Sequence, residues 1–396
     1  MQGSWVGLRP FKKLTGLAIL YYKGTEFPSW VGVPSFACLT QLTLRGCISC
    51  TSLQTLGQLP SLQILFLESM YMLKRLGSVL LRPSNSFHGV AFPSLQVLKF
   101  KDMEGCLREI AIINCPKLDL VAIEFIQSLQ VLHVEGCSLV VLRSMVSVSS
   151  SITRLTIKNI KGLTQLQREV LEHLRAVEYL HILKCDEVTY LWESEAAGCN
   201  ILLSLQKLEL DISNCNNLKS FPHKHLKSLT SLKSLRICFC PSLDYSFRCG
   251  LWPPNLRNLE IGGLKKPISE WEFQNFPTSL VTLYLHGEKS GVVTFAKAEE
   301  DISSSSFLFP SSLTSLEIYG FMELESLPEG MQHFMCLQHL GIYRCPKLRD
   351  LPETLLPSLS CLSVDTDSSM KLRKKSRSRK GMYWPIISQI PLFDLH

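Results

Sequence analysis

The feature that most constrains this chain is a short apolar pattern, Leu-x-x-Leu-x-Leu-x-x-Cys, which returns at nearly regular intervals along its 396 residues. Leu accounts for 68 of them, far above average usage, because it fills the repeated positions. Fifteen copies, clean or weakened, begin between Leu14 and Leu359, with a mean step near 24.6 residues. Six of them are clean, at 39–47, 107–115, 129–137, 177–185, 232–240 and 337–345.

This pattern predicts a repeated short strand. The second and third apolar positions alternate with polar ones, which is typical of a strand that buries one face. One such strand cannot bury its apolar face alone, so successive copies must stack in parallel. The period and the pattern together predict an α/β leucine-rich-repeat fold, a right-handed solenoid or horseshoe with parallel strands on its concave face and irregular or short helical returns on its convex side. Cys in the ninth position is expected to be a small, buried hydrophobic residue.

We predict two regions, a solenoid of about 14–15 repeats over residues 1–369 and a basic tail over 370–396. The formal net charge is +7, and one segment of the tail, 371–380, holds seven positive residues and no acid. They are Lys371, Arg373, Lys374, Lys375, Arg377, Arg379 and Lys380. The remainder of the chain is therefore neutral and lacks the cationic groove of a duplex-binding protein, so no nucleic-acid partner is expected. The tail itself is a solvated charge run, a localisation signal or a membrane-surface contact.

Two irregularities interrupt the solenoid pattern. The step from Leu95 to Leu107 is only 12 residues, too short for a full coil, so either one of these copies builds no normal rung or a segment has been lost. We therefore expect a locally weak region at 95–112, together with a weak first rung. Around 205–215 the pattern carries two extra residues, which predicts a bulge or a register shift.

The compartment follows from cysteine usage and from missing signals. The 15 Cys largely follow the repeat, and the sequence has no Asn-x-Ser/Thr acceptor, which favours a reducing, cytoplasmic location over a secreted one. No run of apolar residues reaches the length of a membrane span.

Motifs near both ends of the chain resemble those of a known family. They are Phe-Pro-Ser-Trp at 27–30, Pro-Ser-Phe at 34–36, the stretch 47–53, Leu-Gly-Gln-Leu-Pro-Ser-Leu at 56–62, and Gly381 with Trp-Pro-x-Ile-x-x-Ile-Pro at 384–391 after the basic run. They are similar to the repeat domain of plant intracellular disease-resistance proteins that join a coiled-coil domain, a nucleotide-binding domain and C-terminal leucine-rich repeats.

The resemblance implies a function. It implies a non-enzymatic recognition domain of a plant innate-immune receptor, which senses pathogen effectors or modified (guarded) host proteins and restrains an adjoining nucleotide-binding switch. The implied partners are the effector or guarded host protein and the nucleotide-binding domain of the parent receptor. No Gly-x-x-x-x-Gly-Lys-Ser/Thr loop is present in the sequence, so we expect no nucleotide or other cofactor on this chain. A truncated product, a fragment or a mispredicted reading frame would account for that departure.

Two other functions stay open from sequence. A ubiquitin-ligase substrate receptor would need an F-box leader, and none precedes Leu14. A generic intracellular leucine-rich-repeat scaffold would lack the family motif at 384–391. Neither alternative, nor the family resemblance, predicts an enzyme, and no hydrolase, zincin or kinase motif is found.

Cysteine and histidine spacings predict no metal site. Cys47 and Cys50 are spaced as Cys-x-x-Cys but no partner pair follows at zinc-ribbon spacing. Cys238 and Cys240 lie in one predicted strand and point to opposite faces, so that strand alone cannot bring them to one ion.

The solvent-facing strand positions of the C-terminal half are the predicted partner-binding surface. Stacked strands lie about 4.8 Å apart, so equivalent side chains form columns that a partner can contact. Tyr and Arg are frequent interface anchors. The alternative is that these are ordinary strand residues whose aromatic rings favour β structure. The predicted residues are Arg236, Phe239, Tyr284, His286, Glu317, Tyr319, His339, Tyr343 and Arg344.

Overall fold

A computed structural model describes most of the chain. The described residues are 11, 13–27, 36–51, 53, 59–73, 75–76, 94–103, 107–118, 120–123, 126–192, 208–220, 227–244, 252–265, 276–288, 292, 309–327, 336–365, 367, 370–376 and 380–395. Several predicted features lie outside them, namely most of the motifs at 27–30, 34–36 and 56–62, and the basic residues Arg377 and Arg379.

The chain divides into two compact units. The N-terminal unit comprises Met1–Val188 and Glu195–Gln206, and the C-terminal unit comprises Thr189–Ser194 and Lys207–His396. In each unit the repeated pattern forms parallel strands joined by mostly irregular returns, so the predicted leucine-rich-repeat solenoid is confirmed. None of the helices in the described part of the chain has the length and apolar character needed to cross a bilayer.

The described strands of the N-terminal unit belong to two parallel sheets. The first sheet has the order β1-β2-β3-β5-β7, and β4, β6, β8, β9 and β10 follow one another in the second. Two helices lie in the returns, α1 (Leu139–Val146) and α2 (Arg168–Leu171). The strands are β1 (Gly16–Leu20), β2 (Gln41–Arg45), β3 (Ile64–Glu68), β4 (Arg75–Leu76), β5 (Val97–Lys101), β6 (Glu109–Ile113), β7 (Leu120–Ile123), β8 (Val131–Glu135), β9 (Arg154–Lys158) and β10 (Tyr179–Leu183).

The 12-residue step places two successive copies of the repeat in different sheets. Both copies form regular strands with alternate residues buried, β5 at Leu98 and Phe100, and β6 at Ile110 and Ile112. However, β5 pairs with β3 and β7, whereas β6 pairs with β4 and β8. Twelve residues are about half of a mean repeat, so the step carries the chain half way around a coil and the next strand joins the other sheet. Each copy thus forms a strand, but the two strands lie in different sheets and do not make two successive full coils.

Helix α1 lies in the return between β8 and β9. It begins after Ser138, whose side-chain hydroxyl accepts a hydrogen bond from the Val141 N–H at 3.5 Å, as an N-cap does. The helix packs against β7, the last strand of the first sheet. Its buried face consists of Val141, Leu142, Met145 and Val146. The helix thus covers the place where a sixth strand of the first sheet would lie.

In the C-terminal unit, eight strands in the described ranges pair in parallel and in sequence order, β11 to β18. The register shifts once, where Leu208 and Glu209 of β11 oppose Leu232 and Ser234 of β12. This irregularity lies in the segment where the sequence predicted one. The strands are β11 (Leu208–Ser213), β12 (Leu232–Cys238), β13 (Asn258–Gly262), β14 (Thr282–His286), β15 (Ser315–Tyr319), β16 (His339–Tyr343), β17 (Cys361–Val364) and β18 (Leu392–Leu395).

The cysteines of the repeat line the core as free thiols. Cys47, Cys137, Cys185 and Cys240 are buried, and each donates a long hydrogen bond from Sγ to a carbonyl of a neighbouring rung, at 3.7 to 3.9 Å. Burial raises the pKa of the Cys345 thiol to about 12, so this thiol stays protonated and unreactive. The column supports packing rather than chemistry.

The segment set apart as a basic tail also packs on the solenoid. A 3₁₀ turn (Leu356–Ser358) precedes this segment. The segment itself contains helix α3 (Met370–Ser376), helix α4 (Trp384–Ile387) and strand β18, which pairs with β17. The buried Tyr383 hydroxyl donates to Asp350 Oδ1 at 2.8 Å and accepts from the Leu351 N–H at 3.2 Å. Lys375 also bonds to Asp350. This part of the chain therefore closes the end of the last sheet, as a terminal cap must in a solenoid.

Candidate functional site

The strand register of the C-terminal unit aligns six of the nine predicted site residues in two columns on the exposed face of the sheet, whereas His339 begins β16 and Phe239 and Arg344 follow strand ends. We call them the middle column and the end column, the second lying nearer the carboxyl ends of the strands. The middle column is Asp211, Arg236, Glu260, Tyr284, Glu317 and Gly341. The end column is Ser213, Cys238, Gly262, His286, Tyr319 and Tyr343.

Aromatic rings dominate the end column. The ring centroids of His286 and Tyr319 are 5.5 Å apart, and those of Tyr319 and Tyr343 are 4.5 Å apart and stacked. The Phe239 ring, just beyond β12, meets the edge of His286 at 5.2 Å. Tyr319 retains 37% of its surface exposure. The four rings form one continuous aromatic ladder on the exposed face of the sheet.

Glycine at 262 makes the first contact of this ladder possible. Gly262 lies in register between Cys238 and His286, so Phe239 and His286 lie two strands apart. A Cβ at Gly262 would lie 2.2 Å from the His286 carbonyl oxygen and 2.5 Å from the His286 Cβ. Because Gly262 has no side chain, the His286 ring lies over β13 and reaches the ring from β12.

The middle column carries a chain of charged groups. Glu260 Oε1 lies 2.8 Å from His286 Nε2 and 3.3 Å from Arg236 Nη2. Arg236 Nε lies 3.7 Å from Asp211 Oδ1. Burial alone would raise the pKa of Glu260, but the hydrogen bond from His286 and the charge of Arg236 hold that pKa below its usual value. Glu260 is therefore an ionised carboxylate held by two partners.

Glu317 has the opposite character. Burial raises its pKa, although His339 opposes the shift with Nε2 3.4 Å from Glu317 Oε1. Tyr284 lies in register between Glu260 and Glu317, and burial together with these two carboxylates raises its pKa. The pair of acids around Tyr284 gives this part of the face a negative character.

Phe239 and Arg344 occupy a strained position at the strand ends. Both have positive φ, 56° and 54°, a region that costs a residue with a Cβ about 1–2 kcal/mol. Other repeats place Gly46 or Gly136 at the equivalent position before Cys. The Arg344 N–H donates to both carboxylate oxygens of Asp365, at 3.0 and 3.1 Å. The turn is thus fixed by backbone contacts, and the two large side chains are presented beyond the strands.

Sequence reasoning missed three members of this surface. Glu260 was omitted, although its repeat position was readable from the pattern, because a single acid carries no aromatic or Arg signal. Gly262 looks like a weak strand residue in sequence, and only its close approach to His286 shows its role. Cys238 was correctly predicted to face away from Cys240, but its neighbours on adjacent strands were not predictable.

Comparisons with known proteins support the family resemblance. Residues 5–70 match the family model described as R13L1/DRL21 LRRs. The chain is 29% identical over 273 residues to disease resistance RPP13-like protein 1 of Arabidopsis thaliana, covering 63% of this chain and 23% of that protein. Another Arabidopsis thaliana disease resistance protein is 37% identical over 126 residues, 28% of this chain and 9% of that protein.

A third relative comes from another plant. Disease resistance protein RGA1 of Solanum bulbocastanum is 28% identical over 190 residues, 44% of this chain and 18% of that protein. The chain thus spans less than a quarter of the length of these relatives. The predicted resemblance to the leucine-rich repeats of plant disease-resistance proteins is confirmed.

Proposed function

We propose that this chain is the protein-recognition region of a plant innate-immune receptor, and that its partner binds the exposed face of β12 to β16. The observation that carries the proposal is the aromatic ladder of Phe239, His286, Tyr319 and Tyr343. Tyr rings supply large, rigid contact area at low entropic cost, which is why they act as interface anchors. The partner is a pathogen effector or a guarded host protein.

The charges beside the ladder indicate the chemistry of the partner. Glu260 and Glu317 lie in the column next to the rings, and Tyr faces attract cations. A partner segment that presents Arg or Lys therefore suits both features of the face, the aromatic rings and the neighbouring carboxylates. We expect the recognised segment to be basic.

We propose a binding role rather than a catalytic one. The ionisable groups of the face are paired with each other, Glu260 with Arg236 and His286, and Glu317 with His339. Groups committed to ion pairs serve poorly as nucleophile or general base without rearrangement. The names of the relatives support a role in disease resistance, and we infer a cytoplasmic receptor in which this region restrains a nucleotide-binding domain carried elsewhere.

Site-specific photocrosslinking tests the proposal. A photoreactive phenylalanine analogue replaces Tyr343 on the ladder, and in a control protein it replaces Tyr190, which is exposed but lies outside the ladder. We expect crosslinks to a defined plant or pathogen protein from infected leaf extract only at Tyr343.

The captured protein is then purified and its affinity measured by calorimetry. Tyr319→Ala and Tyr343→Ala should each weaken binding at least about tenfold, as loss of an interface anchor does, whereas Tyr190→Ala should leave it unchanged. Equal affinity of all variants would show that recognition does not use this face.

A further inference from the structure

The exposed face of the C-terminal unit also brings together three side chains with metal-binding atoms. The Cys238 sulfur, a Glu260 carboxylate oxygen and a His286 ring nitrogen all lie within 4.8 Å of one another. They come from three consecutive strands, β12, β13 and β14. Each strand contributes one residue, so the cluster is a product of the strand register and not of a local motif.

Glycine at 262 lets the three groups approach one another. Cys238, Gly262 and His286 are in register across the three strands, and Glu260 lies two residues before Gly262 on the same face of β13. A Cβ at 262 would collide with the backbone and the Cβ of His286. The three groups therefore lie side by side on one face of three neighbouring strands.

The burial of the cluster suits a ligand set. Cys238 is completely buried although it belongs to the exposed face, because its neighbours cover it. Its thiol is within hydrogen-bonding reach of the Arg236 guanidinium and the Glu260 carboxylate. The His286 side chain is only 13% exposed and is already oriented toward Glu260, at 2.8 Å. Little reorganisation is needed to bring the three atoms around an ion.

The donor types identify the ion. Thiolate, imidazole and carboxylate are the three protein ligands of Zn²⁺, whereas Ca²⁺ and Mg²⁺ select oxygen. Ligand atoms of a tetrahedral zinc site lie about 3.3–3.8 Å apart, given metal–ligand distances of about 2.0–2.3 Å, so small side-chain rotations close the present cluster. A thiolate and a carboxylate also balance the charge of a divalent cation.

We propose that Cys238, Glu260 and His286 form a three-ligand zinc site on the exposed face of the C-terminal unit, with its fourth position open beside the aromatic ladder. This differs from the expectation of no metal that Cys and His spacing gave. The site stands independently of the proposed recognition function, because its residues can bind zinc whether or not a partner binds the face.

Proton balance sets the conditions for binding. Burial, and then the Glu260 carboxylate, raise the pKa of the Cys238 thiol, so zinc must displace the thiol proton as the Zn–S bond forms, and the proton leaves to solvent. The hydrogen bond between His286 and Glu260 is replaced by two metal–ligand bonds, and the Nε2 proton of His286 moves to Nδ1, or to solvent when the ring is doubly protonated, so that the Nε2 lone pair can bind zinc. Affinity should therefore increase with pH.

The test uses the whole chain, stripped of metal with EDTA, kept reduced with a phosphine, and titrated with Zn²⁺ against a chromophoric chelator. We expect one zinc ion per chain for the natural protein. Cys238→Ser and His286→Gln should each weaken binding more than about a hundredfold, since even outer-shell changes cost 10–100-fold. With Co²⁺, thiolate-to-metal charge-transfer absorption should be seen in the natural protein and be lost in Cys238→Ser.

The same sheet face supplies matched controls. Glu317 and His339 form a second Glu–His pair, and Cys361 lies in register with His339, but within the described residues this trio does not gather its ligand atoms. Cys361→Ser and His339→Gln should leave zinc binding unchanged. Zinc affinity that is equal in Cys238→Ser and the natural protein, or no binding at micromolar zinc, overturns the proposal. Unchanged circular dichroism confirms that each variant is folded.

Discussion

The N-terminal and C-terminal units use the same position of the repeat for opposite purposes. At the last residue of the strand, the N-terminal unit carries Arg45, Glu68 and Lys101 in register, and its second sheet carries Glu135 and Lys158. Glu68 lies between its two bases at 3.1 and 3.3 Å, and Glu135 lies 2.8 Å from Lys158. In these columns the acidic and basic side chains form ion pairs with each other.

The C-terminal unit places rings at that position. His286, Tyr319 and Tyr343 lie ring against ring along the column, and Tyr319 keeps 37% of its surface exposed. The N-terminal columns pair opposite charges across neighbouring strands, whereas a Tyr ring offers apolar contact area together with a polar hydroxyl. The comparison teaches that the repeat specifies the backbone, and that the solvent-facing residues decide whether a column pairs charges or stacks aromatic rings.

The strongest test transfers the N-terminal pattern onto the ladder. Tyr319→Glu combined with Tyr343→Lys reproduces the Glu135–Lys158 arrangement on two adjacent strands. Two interface anchors are lost, so affinity for the partner identified by crosslinking should fall by about a hundredfold or more. Unfolding free energy should fall by less than about 1.5 kcal/mol, the value of an aromatic pair. Calorimetry and urea denaturation measure the two effects, and retained affinity would mean that the ladder is not the binding surface.

The second test removes the acid from the ion-paired column of the first sheet. Glu68 has only 8% of its side chain exposed, so Glu68→Gln leaves Arg45 and Lys101 facing each other without the carboxylate. We expect the free energy of unfolding of the first sheet to fall by about 1–3 kcal/mol, the cost of removing one member of a buried polar network. Hydrogen exchange of the β3 amides reports this region directly.

An exposed ion pair provides the control, because its substitution removes one negative charge without disturbing a buried carboxylate. Glu325 lies 2.8 Å from Arg349, and both side chains are well exposed. Glu325→Gln should therefore cost no more than about 0.5 kcal/mol. Equal costs for the two substitutions would show that the N-terminal column is an ordinary surface feature, and the contrast between the units would lose its energetic basis.

The smallest effect concerns pH, and it distinguishes two acids within the C-terminal face. Folding lowers the pKa of Glu260. The ionised Glu260 therefore stabilises the folded protein at pH values above about 4.3, the pKa of a Glu in the unfolded chain. That stabilisation is lost as the pH falls through the lowered pKa of the folded protein. Glu260→Gln, measured in EDTA, should cost about 1 kcal/mol near neutral pH and nothing in acid.

Glu317 should behave in the opposite sense. Burial raises its pKa in the folded protein, so its contribution favours folding at low pH and is lost as pH rises through the raised value. Glu317→Gln should thus raise stability near neutral pH by a few tenths of a kcal/mol. Urea denaturation at about pH 7 and about pH 4 checks both signs. Parallel pH profiles for the two variants would contradict the assigned environments.

Much of the candidate site was readable from sequence because a strand alternates its side chains. Tyr284, Tyr319 and Tyr343 were predicted to face solvent from their place between the apolar positions. The register aligns Tyr319 with Tyr343 and places Tyr284 in the neighbouring column, opposite Glu317. The pairing of Glu260 with His286 was not readable, since it joins residues 26 apart through strand register. The role of Gly262 depends on a clash that no spacing rule expresses.

By itself, the sequence determined the coil and its faces. Period and alternation are local properties, and burying the Leu positions is possible in only one way when strands stack. The tertiary structure decided which sheet each strand joins. The 12-residue step moved β6 to a second sheet, and β18 entered the last sheet from a segment that looked like a charged tail. Those outcomes depend on hydrogen bonds between residues distant in the chain, for which the repeat pattern carries no signal.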